Sequence, residues 1–322
     1  MENTKININN EFDLEFNKLV QYLEDTTFEN IYFNIVKALN NLKVINNNLY
    51  QQFVQYFSKY PLWGSLNPDF GDFTTLQLRA EVLKNHTTDF VWLYNLLNDY
   101  LSKRTLVAIL LNWAFLDINY LVKVKSIFSD YWEPDLYPSN RDDVLVDVGA
   151  FNGDSIYSYV KTYGTNYKKI YAYEITPSSC LDLKQNVLRN GLHDVIIRQK
   201  AAGSINGKMF LDDDSYDSSA NKINKKGKVM VDVVRLEDDL EDIPTFIKMD
   251  IEGAEKDALK GLENIIKTNS PKLAICVYHG YDDLWMIPKM IYEMNPNYDF
   301  YLRHNGGNLI PTEFVLLCKP KK

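Results

Sequence analysis

VLVDVGAFNGD, Val144–Asp154, is the stretch whose reading decides the fold. A run of aliphatic and β-branched residues ends in an acid and then in a glycine-bearing turn, so it reads as a buried strand feeding a tight loop into a helix. Gly149 lets the backbone bend and approach a neighbour without a Cβ, and Gly153 opens the helix, whose first N–H groups face the loop. Asp147, Gly149, Ala150, Gly153 and Asp154 form one constellation, suited to holding a ligand.

Downstream of this stretch, strand-like and helical runs alternate: Val144–Val148, Asp154–Tyr163, Lys169–Tyr173, Ser178–Arg189, Val195–Gln199, Phe246–Met249, Ala254–Lys267, Leu273–Val277 and Asp283–Glu293. That order predicts an α/β fold with a parallel sheet covered by helices on both faces. Tyr298–Arg303 and Glu313–Cys318, joined by a Gly-Gly loop, read as a closing antiparallel hairpin. Two further short strands, Lys208–Leu211 and Lys228–Val234, flank the polar segment DDDSYDSSANKINKKG (212–227), which reads as a solvated loop in preference to a lid.

Upstream, from Phe12 to about Phe128, the apolar period is helical: Phe12, Phe16, Leu19 and Leu23 share one stripe, and Phe28, Ile31, Ile35, Leu39 and Leu42 another. Thr26 and Glu29 suit a capping box. Further helices are predicted over Thr74–Lys84, Asp89–Leu101 and Arg104–Leu116. The many aromatic residues here, among them Tyr50, Phe53, Trp63, Trp92 and Trp113, are read as core and interface before acceptor wall. WEPDLYPSNRDD (132–143) is a linker by composition, which places a helical N-terminal domain at 1–140 and the α/β domain at 141–322.

The chain of 322 residues is 46% apolar and 24% charged, as a globular protein is, with 35 Lys and Arg against 43 Asp and Glu and a net charge of −8. No basic field is present to draw nucleic acid. Cys180, Cys276 and Cys318 lie far apart without a C-x-x-C pair and read as reduced core thiols. MENTKININN lacks the features of a secretory signal, and Thr105–Leu116 is too short to cross a bilayer. A cytoplasmic protein without membrane insertion is expected.

Ligands of open α/β sheets bind at the carboxyl ends of the strands. Those ends supply the first turn, then Glu174, then Lys248, Asp250 and Glu252, then Tyr278 and His279. A carboxylate ending the second strand suits the two hydroxyls of a ribose, so a nucleoside is expected. Acids beside the turn repel a diphosphate and suit an ammonium and a sulfonium.

DVGAFNGD (147–154), YAYEITP (171–177), IKMDIEGAEKDALKG (247–261), YHGYDDLWMIP (278–288) and YLRHNGG (301–307) together resemble the FkbM family of S-adenosylmethionine-dependent methyltransferases, over roughly Ser129 to Lys319. The resemblance implies a class I methyltransferase fold, with a Rossmann-like seven-stranded sheet, and O-methylation of a sugar, glycan or related small molecule. Asp147, Gly149, Ala150 and Gly153 would line the methionine end, with Asp147 or Asp154 on the ammonium, Glu174 on the ribose, and Ala201 and Ala202 beside the adenine.

Methyl transfer from a sulfonium needs alignment and removal of a hydroxyl proton. His279 is the leading base, because an imidazole titrates near neutrality. Asp250 is base, orienter or acceptor ligand, with Lys248 on its face and Glu252 beside it. Tyr278, Arg303 and His304 are candidates for the acceptor. Asp250, Glu252 and His279 have metal-ligand chemistry but no spacing that fixes an ion, so no metal is expected. The helical half covers the acceptor or makes a homodimer. The competing readings are a nicotinamide-dependent oxidoreductase and a non-catalytic nucleotide-binding scaffold.

Overall fold

The computed structural model describes residues 6–321 apart from 61–62, 129–130, 139, 212–222, 225–228 and 308. The polar segment at 212–227 therefore lies outside the described residues, except for Ile223–Asn224. The chain divides into two compact units. The first comprises Met1–Ile127, Val277–Pro288 and Phe300–Phe314, and the second Phe128–Cys276, Lys289–Asp299 and Val315–Lys322.

In the first unit the helices are α1 (Glu11–Asp25), α2 (Phe28–Ile45), α3 (Asn47–Lys59), α4 (Thr74–Asn85), α5 (Thr87–Leu96), α6 (Tyr100–Phe115) and α7 (Asn119–Lys123). The apolar stripes bury as their period requires: Phe16, Leu19 and Leu23 from α1 and Ile31, Ile35 and Leu39 from α2 are core residues. The cap of α2 is Thr27, whose hydroxyl accepts from Asn30 N at 3.4 Å, and not Thr26, which closes α1. The break expected after Leu101 falls earlier, because the Asp99 carboxylate accepts from Ser102 N at 2.7 Å and so starts α6 at Tyr100. Residues 300–304 of the same unit lie along this start: Phe300 pairs with Leu97, and Leu302 N donates to Ser102 Oγ at 2.9 Å.

The second unit begins with a strap, not a solvated linker. Trp132 and Tyr137 within WEPDLYPSNRDD are buried. Trp132 stacks edge-on against Tyr159 and Phe246 and donates Nε1 to Ser155 O, while the Tyr137 hydroxyl donates to Leu273 O at 2.9 Å. Pro and polar residues gave the segment the composition of a linker; its two large aromatics carry the packing.

The strap leads into β1 (Val144–Val148), α8 (Asp154–Tyr163), β2 (Lys169–Tyr173), α9 (Pro177–Arg189), β3 (Val195–Arg198), β4 (Lys200–Ala202), β5 (Gly207–Leu211), β6 (Ile223–Asn224), β7 (Val229–Val234), α10 (Leu236–Asp239), β8 (Phe246–Met249), α11 (Glu255–Lys260), α12 (Glu263–Asn269), β9 (Lys272–Cys276), α13 (Asp283–Met294), β10 (Tyr298–His304) and β11 (Phe314–Pro320). Seven strands form one sheet in the order β10-β11-β9-β8-β1-β2-β3. β1 pairs in parallel with β2 and β8, and β8 with β9, while β11 runs antiparallel to β9. The order departs from β1 in both directions, so the carboxyl end of β1 stands at the reversal of strand order, where α/β sheets bind ligands. A second sheet, β4-β7-β5-β6, gathers the short strands between β3 and β8. The sequence marked two of these strands but not their separate sheet, since β4 is three residues long and follows β3 after a single residue.

Cys180, Cys276 and Cys318 are buried and form no disulfide. Burial, with Glu174 nearby, pushes the Cys180 thiol up to about 12, which keeps it protonated and inert. Among the described residues no helix is long and apolar enough to cross a membrane.

Candidate functional site

The turn after β1 is wound on itself. Gly149 N and Ala150 N both donate to Tyr173 O at 2.9 Å, Phe151 N to Glu174 Oε2 at 2.9 Å, and Gly153 N to Ala150 O at 2.8 Å. Asp154 N donates to Asn152 Oδ1 and Ser155 N to Asp154 Oδ1. The N–H groups of Gly149, Ala150, Phe151, Gly153, Asp154 and Ser155 are thereby occupied within the protein, and Asp154 stands in the first turn of α8 where a phosphate would be drawn.

Gly149 has φ +81°, and a Cβ there would lie 1.8 Å from the carbonyl oxygen of Asp250. The close approach anticipated at this glycine is thus made to the loop after β8. Gly153, at φ +88°, leaves room for a Leu183 methyl of α9, 2.6 Å from where its Cβ would stand. Both positions need glycine for backbone conformation and for packing.

Asp147 is 0% exposed. Its Oδ2 accepts from Ser155 Oγ at 2.5 Å, and Lys248 Nζ lies 2.9 Å from Oδ1. Lys248 also donates to Gly149 O at 2.7 Å and sits over the Tyr131 ring. Burial alone would push the ammonium down, but the charges of Asp147 and Asp250 and the hydrogen bond to Asp147 push it above the ordinary lysine value. Lys248 therefore stays charged and works as a clamp, tying β8 to β1 and to the turn. A permanently protonated ammonium has no lone pair to take a proton, so its part at the site is structural. Asp147 meets Lys248 and Ser155 first, so its influence on a bound cation passes through the turn that this pair holds.

Glu174, 8% exposed, ends β2. Oε1 accepts from Thr176 N at 2.7 Å and Oε2 from Phe151 N at 2.9 Å. Each oxygen keeps a second acceptor position, so the carboxylate is fixed by two backbone donors and still able to take two hydroxyls. Ala201 and Ala202 lie in β4 of the small sheet, where Ala201 packs with Val231, Ile175, Met209 and Val233.

Asp250 follows β8 and is half-buried; its Oδ2 accepts from the Tyr131 hydroxyl at 2.7 Å. Glu252 has φ +58°. The turn carrying both is wrapped on Glu255, whose buried carboxylate accepts from Ile251 N at 2.8 Å and Gly253 N at 3.0 Å. Glu255 therefore orders the loop. Tyr131 and Ser155 are the site residues that sequence reading missed: Tyr131 lies 119 residues before Asp250 and no local pattern joins them.

The remaining predicted residues belong to the helical unit. His279 is buried, with the Tyr278 ring 4.2 Å away, and Tyr278 O accepts from Trp63 Nε1 at 2.8 Å. Arg303, expected to reach an acceptor, is buried and ion-paired with Asp99 at 2.8 Å, and donates to Ser102 Oγ. His304, also a candidate for the acceptor, is sealed in the unit with Nδ1 3.1 Å from Thr312 O. Burial, with the charge of Lys125, takes it down to about 4 against the pull of that hydrogen bond, so it is neutral at pH 7. Arg303 and His304 fasten β10 within the unit.

Residues 147–306 match the family model of the methyltransferase FkbM domain. Among solved structures, the methyltransferase FkbM of Methylobacillus flagellatus KT is similar at a TM-score of 0.64 and 25% identity, covering 84% of this chain and 70% of that one. Two more distant likenesses are TYW2 of M. jannaschii in complex with AdoMet (17% identity, TM-score 0.35, 57% of this chain and 70% of that one) and fibrillarin of Aeropyrum pernix with bound S-adenosyl-L-methionine (11%, 0.35, 56% and 67%). No curated protein sequence matches this chain.

Proposed function

Because this chain carries an FkbM methyltransferase domain on a class I methyltransferase fold, with S-adenosylmethionine as its cofactor, we propose that it methylates a hydroxyl of a sugar, glycan or related small molecule. The observation that carries the cofactor reading is the pair formed by the self-bonded turn and Glu174: a turn whose Gly149, Ala150, Phe151 and Gly153 N–H groups are bonded within the protein, beside a fixed carboxylate with two acceptor positions to spare. A nicotinamide dinucleotide, which rests its diphosphate on such N–H groups, fits this turn poorly.

The residues present suit the sulfonium nucleoside. Glu174 would accept the ribose hydroxyls. The turn from Gly149 to Gly153, braced from beneath by Asp147, Lys248 and Ser155, would line the methionine end, with Asp154 available to its ammonium. When bound, S-adenosylmethionine supplies an electrophilic methyl group and a neutral thioether leaving group.

The chain's own part is to hold the acceptor oxygen in line and to take its proton, a contribution of about 10²–10⁴ in rate when made by a positioned base. His279 and Asp250 are the two groups proposed for that proton. Asp250 is oriented by the Tyr131 hydroxyl. His279→Gln and Asp250→Asn separate them: loss of the base lowers kcat by about 10² or more while the affinity for S-adenosylhomocysteine stays within twofold.

Incubation with methyl-labelled S-adenosylmethionine and a panel of nucleotide-linked sugars and glycans tests the transfer. Label in an ether stable to mild base supports hydroxyl methylation. Label released by base as methanol, or recovered as a methylamine, would move the acceptor to a carboxylate or an amine.

A further inference from the structure

The strap of the second unit reaches the site through Tyr131. This residue is backed by Trp132, whose ring meets it edge-on at 5.8 Å and whose Nε1 donates to Ser155 O at 3.2 Å. Its own side chain is engaged on two sides: the hydroxyl donates to Asp250 Oδ2 at 2.7 Å, and the ring lies over Lys248 Nζ, 4.9 Å from the centroid. A tyrosine turns about two side-chain bonds only, so contacts at its face and its hydroxyl fix it at little entropic cost. Tyr131, Trp132, Lys248 and Asp250 all belong to the second unit.

Asp250 is tied by its backbone to the turn after β1. Its N–H donates to Val148 O at 3.0 Å, and its carbonyl oxygen fills the space that a Cβ on Gly149 would need, 1.8 Å from where that atom would stand. Lys248, on the same loop-bearing strand end, donates to Gly149 O at 2.7 Å and pairs with Asp147 at 2.9 Å. The main chain of Asp250 is thereby registered against the turn proposed for the methionine end of the cofactor. The carboxylate itself can still rotate about the bonds of its own side chain, and Tyr131 acts on that rotation by holding Oδ2.

We propose that Tyr131 is a positioning residue for the methyl transfer, aiming the Asp250 carboxylate at the acceptor hydroxyl so that Asp250 takes the proton. In that step the acceptor O–H bond breaks, its proton passes to Asp250, and the oxygen forms the new bond to the methyl carbon, while the electron pair of the S–C bond stays on sulfur. The role rests on the methyl-transfer reading. A base aimed by a third group is the arrangement that activates an attacking oxygen. A hydrogen bond to the ionised carboxylate weakens it as a base, but misplacement by about 1 Å costs about 10² in rate, so aim outweighs basicity.

Tyr131→Phe removes the donor and keeps the ring over Lys248. With methyl-labelled S-adenosylmethionine and the panel of nucleotide-linked sugars and glycans, it should lower kcat at least tenfold, while KM for S-adenosylmethionine and the calorimetric affinity for S-adenosylhomocysteine stay within twofold. Added to Asp250→Ala, the same substitution should change kcat less than twofold, since no carboxylate is left to aim. Urea unfolding of the wild type, both single variants and the double variant needs neither cofactor nor acceptor; Tyr131→Phe should lower the midpoint when Asp250 is present and leave it level when Asp250→Ala has removed the acceptor oxygen. A wild-type kcat in Tyr131→Phe, a kcat loss that persists undiminished beside Asp250→Ala, a matching loss of S-adenosylhomocysteine affinity, or additive midpoints would each overturn the role of Tyr131 and leave methyl transfer standing. Wild-type protein that transfers label to no acceptor would remove the methyl-transfer reading, and the role of Tyr131 with it.

Discussion

Lys248 shows how a residue read as part of the reaction becomes a fastener when its surroundings are seen. Its ammonium is buried between Asp147, the Gly149 carbonyl and the Tyr131 ring. Removing one member of a buried pair strands the other charge, at about 3–5 kcal/mol. Lys248→Met should lower the unfolding free energy in urea by that amount, and Lys248→Met with Asp147→Asn should regain most of it; equal losses in the single and double variants would show that the pair is not coupled. His304 sets a pH dependence through the burial of a neutral imidazole. It protonates at about 4 in the folded chain and near the ordinary 6.5 when unfolded. The unfolded state therefore binds more protons between these values. The stability that a neutral His304 contributes is complete above about pH 6.5 and falls as pH drops toward 4, by about 3 kcal/mol in all. His304→Phe should flatten that part of the stability profile, as followed by denaturant melts from pH 7 to pH 4.

At the scale of elements, the sequence was informative where one element declares itself locally. β1 is a continuous apolar run ending in a glycine turn, and it lies where that run says. The sheet and its closing antiparallel strand follow from the alternation of periods and from the absence of a helix between Arg303 and Glu313. What stayed hidden depended on distant partners. Trp132 and Tyr137 turn a polar, Pro-bearing segment into an anchored strap, and only Phe246, Tyr159 and Leu273 reveal it. The start of α6 shifted because Asp99 caps it, a local signal outweighed in the reading by the apolar period. The places of Asp147 in β1, Gly149 in the turn and Glu174 after β2 were legible from strand ends and turn chemistry. The commitment of the turn's donors to Tyr173 O and Glu174 was not, since it is written in backbone geometry.

At the scale of the molecule, the two compact units share one chain that passes between them repeatedly, so neither is a contiguous fragment. Residues 277–288 and 300–314 find their partners among the N-terminal helices: Trp285 stacks on His86, and Arg303 pairs with Asp99. A fragment of residues 141–322 should therefore lack a cooperative unfolding transition, whereas a sharp, two-state melt of that fragment would show that these segments fold without the helices. The central claim concerns the turn after β1 and the carboxylate that ends β2. Calorimetry of the full-length protein with S-adenosylhomocysteine, set beside oxidised nicotinamide dinucleotide, tests it most directly. Saturable binding of S-adenosylhomocysteine, weakened at least tenfold in Glu174→Gln, with none of the dinucleotide, is the result predicted; a folded protein that takes up the dinucleotide, or that ignores S-adenosylhomocysteine, would contradict it.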